Sequence, residues 1–141
     1  MEIIQHPDNT LLKVSEPVNK VDTEIIKEMA KYKNKCLGLA AIQLGFPVRV
    51  IMVKLGTMYV FMVNPEIIKQ SEKTSVYPEG CMSIAHGKRY FDIVRPKRVK
   101  VRYLDLSMKP RTVKGDLLTS HLLQHEIDHL DGKLIIYKKE D

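Results

Sequence analysis

Gln124-His125-Glu126-Ile127-Asp128-His129 decides how the rest of the chain is read. In a helix, His125 and His129 lie about 40° apart around the axis and about 6 Å apart along it, so both imidazoles reach one metal ion. Glu126 projects about 100° from His125, beside the ion's open position without having to bind it, where a carboxylate can handle protons. The flanking residues favour that helix. Asp116 is a candidate N-cap, Leu118, Leu122, Ile127 and Leu130 recur at helical spacing, and Gly132 is placed to stop the helix. Leu118 and Leu122 share the histidine face, which predicts that the rings point into an apolar interior.

Working outward, Asp22 or Thr23 caps a helix with Ile25, Ile26, Met29 and Ala30 on one side. Lys31, Lys33 and Lys35 follow where cations suit the helix dipole, so Cys36 would close a lysine-rich helix. Val48 to Lys54 and Thr57 to Val63 are β-rich runs joined across Leu55-Gly56. Asn64-Pro65 and a third run from Glu66 to Gln70 come next, predicting an antiparallel meander. From Arg98 to Leu104, Val99, Val101 and Tyr103 alternate with Arg98, Lys100 and Arg102, as in a strand with one buried face. Lys133 to Tyr137 reads as a last strand returning to the sheet, ahead of the charged tail Lys138-Lys139-Glu140-Asp141. The predicted fold is α+β, with antiparallel strands packed around a central C-terminal helix that carries the His-Glu-x-x-His motif, in one domain spanning residues 1–141.

Composition narrows the class. Hydrophobic residues make up 44% and charged residues 28%, a balance that excludes a disordered, collagen-like or disulfide-scaffold chain. No apolar run approaches the roughly 20 residues that cross a bilayer, and Met1 to Pro7 lacks a basic segment followed by an apolar one. A cytoplasmic protein with no membrane partner is expected, its two cysteines, Cys36 and Cys81, present as thiols. The net charge, 23 − 17 = +6, leans weakly toward an anionic partner such as RNA or the ribosome. The same cations also read as solvent faces of regular elements, and no specific nucleic-acid contact is expected.

Two histidines do not complete a metal site, because a catalytic zinc or iron centre generally takes three protein ligands plus water. No histidine follows His129, so the third donor lies upstream, among Cys36, Cys81, His6, His86 and His121. A thiolate suits such a cation, which favours the cysteines without choosing between them. Cys81 sits in Glu79-Gly80-Cys81-Met82-Ser83, where Gly80 allows close backbone approach, whereas Cys36 reads equally as a small buried filler. Cys81 is preferred on that ground.

With these residues in view the chain resembles the peptide deformylase family. Three segments carry the resemblance, in matching order and spacing: Leu37-Gly38-Leu39-Ala40-Ala41-Ile42-Gln43, Glu79-Gly80-Cys81-Met82-Ser83 and Gln124-His125-Glu126-Ile127-Asp128-His129. His6-Pro7-Asp8, Asn64-Pro65-Glu66 and Asp131-Gly132-Lys133-Leu134 extend it across nearly the whole chain. The resemblance implies hydrolysis of the N-formyl group from N-formylmethionyl nascent peptides by a monomer. Cys81, His125 and His129 would be the metal ligands, Fe2+ the usual ion, and Zn2+, Ni2+ or Co2+ possible replacements. Formamide hydrolysis needs a strong nucleophile near neutral pH, and a metal supplies one by lowering the pKa of its water. Glu126 would act as general acid and base, with Gln43 and the Met82 N–H stabilising charge on the formyl oxygen. Without the resemblance, Gln43 reads equally as a structural polar residue.

The resemblance further implies that the peptide lies extended against the backbone of Leu37, Gly38, Leu39 and Gly80. Leu118, Leu122 and the His125 ring would wall the methionine pocket, and a cation such as Arg89 or Arg95 would meet the nascent chain. Cys36 stands where many relatives have glycine, which would reshape the loop beside the substrate strand, and Ala85 stands where proline often follows, which would loosen a turn. Only four residues follow Tyr137, so ribosome association by the long C-terminal helix of some bacterial relatives does not carry over. Two other functions fit parts of the pattern. One is a metallopeptidase cutting internal bonds; the other is a catalytically silent, basic ribosome- or RNA-binding protein with a structural metal site, in which an unligated Glu126 would have little use.

Overall fold

Val50-Ile51-Met52-Val53 is apolar at four consecutive positions, a pattern that suits a strand covered on both faces. In the computed structural model, which describes residues 2–138, this run begins strand β2 (Val50–Leu55) and all four residues are buried. β2 lies in a five-stranded antiparallel sheet with β1 (Gly38–Ala40), β3 (Met58–Gln70), β6 (Arg98–Leu104) and β7 (Pro110–Asp116), in the order β1-β2-β3-β6-β7. A second sheet is the hairpin of β4 (Thr74–Gly80) and β5 (Tyr90–Pro96).

Each face of the large sheet has its own helix. Helix α1 (Thr23–Ala30) buries Ile25 and Met29 with Leu39, Val50, Met52, Phe61 and Val63. On the other face, Leu123, Ile127 and Leu130 of helix α2 (Leu118–Leu130) pack with Ala40, Ile51, Val53, Met62, Val99 and Val101. Burying one such aliphatic side chain contributes about 1.5–3 kcal/mol. Gly115 of β7 lets α2 approach, because a Cβ there would lie 2.8 Å from Leu123 Cδ1. The opposite side of α2 faces β4 and β5, so the helix lies between the two sheets, as the central position predicted from sequence requires.

Four local expectations are corrected. The runs on either side of Asn64-Pro65 form one strand, β3, whose pairing with β6 shifts register between Val63 and Glu66. Asn64 adopts φ +49, and its amide exchanges two hydrogen bonds with the Val18 backbone, so the turn-like dipeptide serves a bulge. Asp116 ends β7 and does not cap α2; Leu117, at φ +51, occupies the cap position without a side-chain hydrogen bond. α1 ends at Ala30, and 31–35 continue as i→i+3 turns, leaving Cys36 in the following loop. Lys133 to Tyr137 is not a strand: Ile135–Tyr137 is a 3-10 turn that packs Ile135 with Cys81, Ile84 and Ile93. Of the charged tail, residues 139–141 lie outside the described residues. Among the described residues, no helix is long and apolar enough to cross a membrane.

Candidate metal centre

The N-terminal segment fixes two loops of the site from behind. Ile4 N–H donates to the Gln43 carbonyl at 2.7 Å, His6 N–H to the Ser83 carbonyl at 2.6 Å, and the Gln5 side-chain amide to the Met82 carbonyl at 2.7 Å. The Gln43 turn and the Cys81 loop are thereby held together beside α2.

Cys81 Sγ and one ring nitrogen each of His125 and His129 lie within 4.8 Å of one another, and all three residues are buried. Cys81 Sγ and His129 Nε2 are 3.4 Å apart. Two such donors on one tetrahedral zinc-like ion would be separated by about 3.6 Å, given bonds near 2.3 and 2.1 Å. Spacing and donor chemistry therefore fit a borderline divalent cation. Of the five upstream candidates only Cys81 joins this cluster. Cys36 lines the same cleft, but burial, with the Glu126 charge adding to it, pushes its thiol up to about 12, and its Sγ meets the Tyr32 carbonyl at 3.6 Å. His6 packs edge-on against Tyr137, His86 lies in an exposed turn, and His121 bonds elsewhere.

The histidine face points into the interior, with His125 and His129 both buried, but beside His125 that interior is ionic and not apolar. His125 Nδ1 lies 2.9 Å from Glu79 Oε1, His121 Nδ1 lies 2.6 Å from Glu79 Oε2, and Arg95 donates to both Glu79 oxygens at 2.7 and 2.9 Å. Arg95 also donates to Asp128 Oδ2 at 2.7 Å. Burial alone would raise the Glu79 carboxyl, yet the hydrogen bonds from His125 and Arg95 bring it down to about 2. An ionised carboxylate only accepts, so Nδ1 of His125 carries the proton and its Nε2 keeps a lone pair for a cation. Arg95 is spent in this network and buried, so the expectation that it meets a nascent chain is corrected. Arg89 stacks over Phe91 at 5.1 Å.

Glu126 is 3% exposed, and its Oε1 has no hydrogen-bond partner. Burial lifts its carboxyl to about 7, with His125 opposing and Glu79 adding to the rise. Gly38 is required beside it, since a Cβ there would stand 2.5 Å from Glu126 Oε2. The Gln43 amide is oriented by its carbonyl, which accepts from Ala40 N–H at 2.9 Å; its NH2 then donates to Ser83 Oγ at 3.0 Å and approaches Cys81 Sγ at 3.8 Å.

A cleft of about 540 Å³ gathers Leu37, Gly38, Gln43, Gly80, Cys81, Met82, Leu118, Leu122, His125 and Glu126. Leu39 is fully buried on the α1 side and does not line it. Leu118, 62% exposed, is an open wall, while Leu122 also packs against the core. The space above Gly80 is taken by the Tyr90 ring, 2.9 Å from where a Cβ would be. After Ser83, Ala85 and His86 adopt φ +49 and +52, values that a proline ring forbids, so this loop follows a path that a chain with proline at this position would not take.

The sequence reading passed over Glu79, Asp128 and the true part of His121. His121 had a usable signal, since 121, 125 and 129 are successive i+4 positions on one helix face. Arg95 had none, because it reaches α2 from another strand.

A buried thiol converging on two histidines and a free glutamate, at the wall of a cleft, defines a metal-dependent hydrolase site. The chain belongs to the polypeptide deformylase family, whose sequence profile matches residues 1–141. It is 40% identical over 147 residues to the peptide deformylase of Bartonella tribocorum, covering 95% of this chain and 81% of that one. With the peptide deformylase of Mesorhizobium japonicum it shares 41% identity over 141 residues, 92% of this chain and 78% of the relative. The crystal structure of the Thermotoga maritima enzyme superposes with a TM-score of 0.91 at 32% identity, covering 99% of this chain and 97% of that one. Enzymes of this family depend on a metal and remove the N-formyl group from nascent polypeptides.

Proposed function

We propose that the chain hydrolyses the formamide of N-formylmethionyl peptides, with Cys81, His125 and His129 holding Fe2+ and accepting Zn2+, Ni2+ or Co2+ in its place. When bound, the ion acts as a Lewis acid that acidifies water and polarises the formyl oxygen. Glu126 takes a proton from the attacking water and returns one to the departing amine nitrogen, so that formate and a free amino terminus leave. The unpartnered Glu126 Oε1 beside the cluster supports that role. The Gln43 NH2, aimed by its bond from Ala40, and the Met82 N–H donate to the formyl oxygen as charge develops there.

β1 is an edge strand of the large sheet, which supports docking of an extended peptide along Leu37, Gly38 and Leu39 with Gly80 on the far side. Leu118 and Leu122 wall the space for the methionine side chain. We further assign residues 1–141 to one monomeric catalytic domain working in the cytoplasm, which size-exclusion chromatography and fractionation test. Ribosome association, motivated by the +6 charge, is tested by salt-sensitive co-sedimentation.

The convergence of the Cys81, His125 and His129 donors within 4.8 Å carries this reading. Protein loaded anaerobically with Fe(II) or Ni(II) is expected to release formate from formyl-Met-Ala-Ser. Turnover no greater than that of the Glu126→Ala variant would refute it, as would unchanged metal content in Cys81→Ala.

A further inference from the structure

With Arg95 engaged by Glu79 and Asp128, the cations that can meet a nascent chain lie elsewhere in the cleft. Lys35 and Lys54 line it beside Leu37, together with Asn34, Cys36 and Tyr59. The Tyr59 hydroxyl fastens this end: it accepts from Asn34 N–H at 2.8 Å and donates to the Cys36 carbonyl at 2.7 Å. Lys54 stands opposite Tyr59 across β2 and β3, with Nζ 5.9 Å from the centre of that ring, and Lys35 Nζ lies 5.8 Å from the centre of the Tyr32 ring. Among the described residues neither ammonium enters an ion pair. The carboxylates that line the cleft, Glu79 and Glu126, are buried on α2's side of it.

The strand geometry says which part of a peptide meets these cations. β1 has one unpaired edge, and Gln43, held by Ala40 N–H, marks the formyl end along it, so the peptide runs back past Gly38 and Leu37 toward residues 34–36. Successive side chains of an extended chain point to opposite faces of a sheet. The methionine takes the face of Leu118 and Leu122, so the second side chain takes the α1 face. Lys54 is on that same face by the same alternation, because Ile51 and Val53 pack with α2 whereas Val50 and Met52 pack with α1. An ammonium resting on an aromatic ring keeps its charge while its stem gives up part of its freedom in advance, which lowers the cost of meeting a carboxylate.

We propose that Lys35 and Lys54 are specificity-determining residues, a cationic subsite at the outer end of the cleft that favours a carboxylate side chain at the second residue of the peptide. The inference rests on the reading that the formylated peptide lies along β1. It goes beyond that reading in assigning a charge preference to the residue after the methionine, and it gives these lysines the part that the sequence suggested for Arg89 or Arg95.

The test uses C-terminally amidated peptides, so that the side chain is the one carboxylate present. Formyl-Met-Glu-Ser-amide is compared with formyl-Met-Gln-Ser-amide, and formyl-Met-Ser-Glu-amide with formyl-Met-Ser-Gln-amide, measuring kcat and KM for the wild type, Lys35→Met, Lys54→Met, the double variant and Lys54→Glu. At low salt the wild type is expected to prefer Glu over Gln at the second residue by about 2- to 10-fold in kcat/KM, carried by KM. About 0.5 M salt should shrink the ratio toward one, because these cations border solvent. Each single Lys→Met change should lower the ratio, the double variant should bring it to nearly one, and Lys54→Glu should invert it. Methionine keeps an apolar stem over the ring, so a packing defect would affect both peptides alike and leave the ratio standing. If the double variant does not fold, the single variants and the salt series decide. No Glu preference in the wild type, a ratio that survives both substitutions, or a preference confined to the third residue overturns the proposal. A wild type that hydrolyses none of the four peptides refutes the deformylase reading itself, whereas hydrolysis without charge preference refutes the subsite alone.

Discussion

The two helices of this chain are stabilised in opposite ways. α1 follows local rules: Asp22 accepts from Glu24 N–H at 3.0 Å, Glu24 sits in the first turn, and Lys31 bonds Glu28 three residues back at 2.9 Å. Only Ile25 and Met29 of its eight residues are buried. α2 has neither a side-chain N-cap nor an acid in its first turn, and it buries Ser120, His121, Gln124, His125, Glu126 and His129. Ser120, His121, His125 and Asp128 find partners on other elements, at Pro96, Ser75, Glu79 and Arg95, while Glu126 Oε1 and His129 Nδ1 find none. A helix that carries chemistry in the interior needs tertiary hydrogen bonds to offset desolvation, whereas a surface helix manages with its own ends.

The largest test of this contrast is Glu126→Gln. Turnover of formyl-Met-Ala-Ser should fall by about 10²- to 10⁴-fold with metal content retained, as the role proposed for Glu126, moving protons without holding the ion, requires. Metal analysis and the formate assay on the same sample check both halves.

Next comes the support of α2. Glu79→Ala leaves the Arg95 guanidinium buried with Asp128 alone, which should lower stability to urea by about 3–5 kcal/mol. The sign with pH follows from the direction of the shift. The Glu79 pKa is lowered from 4.5 to about 2 on folding, so its contribution is fully present above about 4.5 and disappears as the pH falls through about 2. Acid titration of Glu79→Gln should lack that component of the wild-type loss.

The corresponding change in α1 is smaller and purely structural. Asp22→Ala should cost about 1 kcal/mol, read from the urea midpoint, with kcat and KM unchanged. A large loss of activity would show that α1 is coupled to the site, against the contrast drawn here. Smallest of all is Glu28→Gln. The hydrogen bond from Lys31 lowers the Glu28 carboxyl, so its contribution is present above the ordinary carboxylate range and fades as the pH falls through the lowered value. At this solvent-bordering, half-buried position only a slight flattening of the acid limb of stability is expected, measured against wild type in low salt.

Legibility followed the same division. The α1 cap at Asp22, the strand Arg98–Leu104 and the stop at Gly132 were readable from local pattern. Asp116 misled because it has the chemistry of a cap but is paired with Arg98 across the β6–β7 ladder. Asn64-Pro65 misled because a bulge and a turn use the same residue types. Lys133 to Tyr137 had strand-like composition, yet Ile135 is buried on a 3-10 turn against Cys81, Ile84 and Ile93. The burial of the α2 histidine face was readable, but not its chemistry: Leu118 and Leu122 suggested an apolar setting where Glu79 and Arg95 supply an ionic one at His125.

By itself the sequence determined that His125, Glu126 and His129 stand on one helix and that a metal would suit them, since 3.6 residues per turn fixes those relations whatever surrounds the helix. The tertiary structure brought Cys81 and not Cys36 within reach of both histidines, and set Glu79, 46 residues from His125, against its ring. It also took His121, a candidate ligand by spacing, out of the cluster and set it against Glu79, Ser75 and Tyr77. Those outcomes depend on which strands are brought against the helix, and no local periodicity encodes that.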